Sequence, residues 1–117
     1  MSAPHDRPTA TELVEAVAEW IRRSQVDGEI PPNPFHARVA ANMLAIVERE
    51  LALGPAQARA HTARLEQLGV ADDAELAAAI RSGALDGRAE EVRALVWASV
   101  RDKLAVANPD YLARTEP

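Results

Sequence analysis

At 117 residues the chain is one domain by length, expected to bury roughly two-thirds of the surface that its unfolded form exposes. Its net charge of -5 sets its average field against phosphate backbones and anionic lipid, so nucleic acid is not an expected partner. It has no cysteine, which excludes disulfides, thiolate nucleophiles and thiolate metal sites and suits a reducing compartment. Aromatics make up 3% of the residues and the apolar share is 48%. Ala, Leu and Val dominate that share, which favours closely packed helices over a sheet.

Met1 to Pro8 carry charge and proline where a secretory signal would be apolar, and no stretch approaches the roughly 18 apolar residues of a membrane span. A cytoplasmic protein is expected. Residues 1–8 read as a flexible tail, 9–112 as the helical domain and 113–117 as a second flexible tail.

Thr9 with Glu12 three residues later fits a capping box. A first helix then runs to about Gln25, with Leu13, Val14, Val17, Trp20 and Ile21 on one stripe. Asp27-Gly28 and Pro31-Pro32-Asn33-Pro34 interrupt it. Asn33 as N-cap and Pro34 at the first helical position start a second helix. It is expected to end near Leu53, with Gly54 as its left-handed stop and Pro55 forbidding continuation. A short third helix follows from Pro55 to Leu68, with a thin stripe of Ala58, His61, Leu65 and Leu68. Asp72 or Asp73 caps a short fourth that Ser82-Gly83 closes. Asp86-Gly87 opens a fifth, carrying Val92, Leu95, Val96, Ser99, Val100, Lys103, Leu104 and Ala107 up to Asn108-Pro109. Tyr111 and Leu112 can fold back from an otherwise polar tail. The fold class is therefore all-α: a single-domain bundle of about five helices, three long (first, second and fifth) in antiparallel-type packing and two short ones across one side.

Chemistry-bearing patterns are sparse. His5, His36 and His61 fall in a tail and two different helices, with no HxxxH or HxxE partner, so neither metal nor cofactor is expected. No GxSxG elbow and no glycine-rich phosphate loop occurs. The pairs Glu48/Glu50 and Glu90/Glu91 sit on charged faces and read as solvated surface. His36 and Arg38 lie where free N–H groups at a helix start favour an anion. Asn42 interrupts the line Phe35, Val39, Ile46, so a buried Asn42 amide would need a hydrogen-bond partner. Lys103, next to Arg101, falls near the apolar stripe of the fifth helix, where its stem can lie along apolar surface. These polar interruptions mark either a helix-pair network or a docking surface.

Phe35 to Leu51 with Gly54-Pro55, Val100 to Pro109 with Tyr111-Leu112, and the opening Arg7-Pro8-Thr9 to Val14 resemble a bacterial family of small helical proteins. That family is encoded beside aminoglycoside-phosphotransferase-like kinases and acyl-CoA dehydrogenases. The resemblance implies a companion role, similar to the small subunit that supports a kinase phosphorylating hydroxyacyl-CoA thioesters in levulinate-type catabolism. The kinase would supply nucleotide, magnesium and catalytic aspartate. His36, Arg38, Asn42, Arg101, Lys103 and Asn108 then become candidate contacts for that partner or for the anionic phosphates of acyl-CoA. Two other readings stay open: a stand-alone helical module for an acyl or CoA ligand, and a small enzyme with His36 as base. A homodimer is a further expectation.

Overall fold

In the computed structural model, which describes residues 3–115, the helices are α1 (Ala10–Ile21), α2 (Pro34–Gln67), α3 (Asp73–Ser82), α4 (Ala89–Ala107) and α5 (Pro109–Thr115). The outermost residues of the two expected tails, 1–2 and 116–117, lie outside the described part. The fold is all-α, as expected. Among the described residues no helix is long and apolar enough to cross a membrane.

The helix starts follow from local chemistry. Thr9 Oγ1 accepts the Glu12 N–H at 3.1 Å while Glu12 Oε1 accepts the Thr9 N–H at 2.9 Å, completing the capping box. Asn33 Oδ1 accepts the Phe35 N–H at 2.8 Å ahead of Pro34, and Asp72 Oδ1 accepts the Glu75 N–H at 2.8 Å to start α3. Gly83, in the left-handed region at φ 84°, ends α3. The first helical run ends at Val26, close to the expected Gln25, but its last part, Arg22–Val26, widens into a π-helical turn in which the Asp27 N–H reaches the Arg22 carbonyl at 2.8 Å. Within that turn Ser24 Oγ donates to the Trp20 carbonyl at 2.6 Å, the back-bonding that bends a helix. Asp86–Arg88 forms a 3-10 turn before α4 begins.

The largest correction concerns Gly54-Pro55. The expected second and third helices are one helix of 34 residues with Pro55 inside it. An interior proline costs about 3 kcal/mol of helix propensity, so tertiary packing has to hold the helix through this point. The buried residues Val47, Gly54, His61 and Leu68 recur every seven positions straight across the interruption. α4 runs antiparallel to this stripe and straddles Pro55: Arg49 Nε donates to the Val106 carbonyl on one side, and Gln67 Nε2 donates to Glu91 on the other. Pro55 itself faces solvent, where a helix tolerates opened carbonyls.

The helices do not form three side-by-side columns. α1 lies antiparallel on the first half of α2, with Val17 and Trp20 near Val39 and Met43, and Leu13 near Val47. α4 covers the second half, and its end at Val106 meets Leu13 and the start of α1. α2 is thus a spine carrying two helices in series. The molecule measures 59 × 31 × 24 Å with a radius of gyration of 18.2 Å, against about 13 Å for a compact domain of this length. α5 replaces an expected polar tail because Asn108 Oδ1 accepts the Tyr111 N–H at 3.1 Å with Pro109 in the first position, repeating the Asn33-Pro34 start.

Two outcomes follow. A Cβ at Gly54 would meet the Glu50 Cγ and His5 Cε1 atoms at 3.6 Å, an ordinary contact. Gly54→Ala should therefore raise stability by about 0.5–1 kcal/mol in urea denaturation. Glu12 is held down to about 2 from an ordinary 4.5, first by the hydrogen bonds from Arg7 and then by the Thr9 N–H. Because the folded value is the lower one, its contribution is complete above about 4.5 and lost as pH falls towards about 2. Carboxyl carbon NMR should show the low midpoint in the native chain and a higher one in Arg7→Ala.

Candidate functional site

A polar seam runs between α2, α3 and α4. α2 contributes Gln57, His61 and Arg64 at i, i+4 and i+7, one face of the helix. α4 answers with Ser99, Asp102 and Lys103, and Asp73 opens α3. His61 is buried, with Nε2 at 2.8 Å from Asp73 Oδ1 and Nδ1 at 2.8 Å from Ser99 Oγ. Every atom is satisfied when Nε2–H donates to Asp73 and the Ser99 hydroxyl donates to Nδ1. Arg64 Nη1 then donates to Ser99 Oγ at 2.9 Å, and its Nη2 donates to Asp102 Oδ2 at 3.1 Å. Gln57 Nε2 donates to the Asp102 carbonyl at 2.8 Å.

The seam continues into the N-terminal segment. His5 is 6% exposed, with Nε2 at 2.6 Å from Gln57 Oε1 and Nδ1 at 3.5 Å from Glu50 Oε1. The next residue, Asp6, forms an ion pair with Lys103. At the far end Arg88 donates to both Glu91 oxygens, at 3.0 and 2.8 Å, and to the Gln67 carbonyl at 2.9 Å. These bonds raise Arg88 and hold Glu91 below the usual carboxylate range, with Gln67 adding to the effect on Glu91.

The order aspartate, histidine, serine is that of an acyl-transfer relay, but the setting is different. Ser99 sits inside α4, where the surrounding N–H groups close helix bonds and offer nothing to a developing oxyanion. Arg64 already holds its hydroxyl. The arrangement joins three helices through paired groups, of which Gln57 and His61 are buried and Asp73 is largely exposed. Among the described residues no three His, Asp or Glu side chains converge as metal ligands.

The residues singled out from sequence fall in separate places. His36 is exposed on the first turn of α2 and borders a hollow of about 270 Å³ shared with Trp20 and Ile30. Arg38 and Asn42 are exposed on α2, so the Asn42 amide is solvated instead of interrupting a buried line. Arg101 is exposed on α4, Lys103 is half-buried in the seam, and Asn108 caps α5. Arg49 already faces the end of α4, so His36, thirteen residues earlier, lies about 20 Å further along the spine. The structure therefore groups His36 with Arg38, and Lys103 with Arg64 and Ser99. Gln57, His61, Arg64, Asp73, Ser99 and Asp102 were missed as a set; their signal is the seven-residue period through Gly54-Pro55.

The fold and its polar seam define an all-α protein built on a single long spine helix. Residues 30–111 match the family model described as a domain of unknown function, DUF6285, and the chain belongs to that family. No curated protein and no solved structure matches it.

Removing the central imidazole tests the staple. His61→Ala should cost about 2–3 kcal/mol in urea denaturation, through a cavity and lost partners for Asp73 and Ser99. Asp73→Ala, at a largely exposed carboxylate, should cost less than about 1 kcal/mol.

Proposed function

We propose that this chain is a non-catalytic accessory subunit that docks on and supports an aminoglycoside-phosphotransferase-like kinase acting on hydroxyacyl-CoA substrates in the cytoplasm. The observation that carries the reading is unclosed surface. The chain exposes 7746 Å², where a compact monomer of its mass exposes about 6,200 Å². The excess is about twice the roughly 800 Å² that each partner contributes to a standard protein–protein interface.

Exposed apolar side chains occur along all five helices, and one group of them lies where α1 ends and α2 begins. Ile21 is 42% exposed, Val26 72% and Phe35 61%. Ile21 continues a stripe with Val14 and Ala18 at i, i+4 and i+7, all exposed. His36 and Arg38 stand beside this end and supply polar contacts next to apolar anchors, the usual division between interface centre and rim. The kinase would bring nucleotide, magnesium and the catalytic aspartate; this subunit would bring a rigid helical end that orders a kinase segment.

Co-expression with the phosphotransferase-like kinase should give a complex that survives size-exclusion chromatography at micromolar concentration. Ile21→Asp and Phe35→Asp should each weaken it by about tenfold or more while leaving helical circular dichroism unchanged, and Arg38→Ala should weaken it less. Separate elution of the two wild-type chains, with a kinase fully active alone, would falsify the reading.

A further inference from the structure

The cavity between α2, α3 and α4 is about 230 Å³ and has two chemically distinct ends. Leu76 and Leu95 supply hydrocarbon at one end, Lys103 stands at the other beside Asp6, and Arg64, His61, Asp73 and Ser99 also border the cavity. Leu95 and Lys103 are eight residues apart on α4, which makes the slot about 12 Å long. We propose that this cavity is a binding site for a small monocarboxylate with an unbranched apolar chain, whose carboxylate takes the place of Asp6 on Lys103.

The two cations differ in how they are held. Arg64 is committed to Ser99 and Asp102 inside the seam. Lys103 is paired with Asp6, whose side chain is 61% exposed, and Lys103 itself is 39% exposed. Exposed pairs of this kind contribute little to stability. His5, buried against Gln57, anchors the segment just before Asp6, so the Asp6 side chain can swing away while the backbone stays pinned.

Exchange of one carboxylate for another leaves Lys103 paired and sends the Asp6 charge into water, where it is screened. That selects a monoanion: a polyanion would bring surplus negative charge to a chain that already carries -5. Hydrocarbon lines the slot towards Leu95, and of the two cations that border it Arg64 is already held by Ser99 and Asp102, so Lys103 is the one that can take the ligand's head group. Asp6 and Pro4 both border the cavity, which makes the Asp6 side chain its movable edge.

The inference stands apart from the companion-subunit reading and is tested on the full chain alone. Hexanoate titrated into labelled protein should give saturable amide shifts around Leu95, Val100 and Lys103, and hexan-1-ol should bind at least about fivefold more weakly. Asp6→Ala, on an exposed side chain, should tighten hexanoate by about two- to fivefold by removing the internal competitor. Lys103→Met should weaken it by about fivefold or more. Absence of saturation below about 10 mM, equal binding of the alcohol, or a dissociation constant unchanged in Asp6→Ala would each overturn the proposal.

Discussion

The continuity of α2 through Gly54-Pro55 is the constraint on which the remaining structure depends. A break there would separate the residues that receive α1 from those that receive α4, and the chain would have no common axis. The helix is kept whole by partners on both sides of the proline: Arg49 and Gln57 bonded to the last third of α4, at Val106 and Asp102, and Gln67 to its first turn, at Glu91. Each bond is modest, on the order of 1 kcal/mol net. Together with the buried faces they offset the missing N–H and the crowding at the preceding turn.

What holds the spine to α4 is unusually polar. His61, Gln57 and Arg64 occupy positions where a coiled-coil seam would place leucine or isoleucine. Buried groups of this kind add little stability over apolar packing, yet they penalise every misaligned register, because a slip leaves several of them unpaired. The staple therefore fixes how α4 slides along α2. It also fixes the positions of Ser99 and Lys103, and so the shape of the cavity they border. The apolar core is correspondingly thin: no large side chain among the described residues is fully buried.

Local signals in the sequence were legible because they act over three or four residues. Thr9 with Glu12, Asn33 with Pro34, Asp72, Gly83 and Asn108 with Pro109 each mark a boundary that the structure keeps. Asn108-Pro109 carried a second meaning that was overlooked, since the same pair that ends α4 starts α5. The Gly54-Pro55 signal was read correctly as a local preference and was overridden by packing distant in sequence. A search for apolar periodicity passes over the evidence for that packing, because the seven-residue repeat is written in Gly54, Gln57, His61 and Arg64. Serial placement of α1 and α4 was equally hidden, as amphipathic stripes state which face is buried but not which stretch of a longer helix covers it.

The serial layout has a dynamic consequence. α1 and α4 share a spine but cover different lengths of it, so the chain holds two helix pairs that meet near Leu13, Val47 and Val106. Detachment of α1 bares the early turns of α2 and leaves the seam from Gln57 to Gln67 closed. Opening at the other end strips α4 without releasing α1 from Val39 and Met43. Amide exchange in such a molecule divides along the length of one helix, with the two halves of α2 belonging to separate cooperative units. A continuous helix thus carries a boundary in its free-energy landscape that is invisible in its backbone.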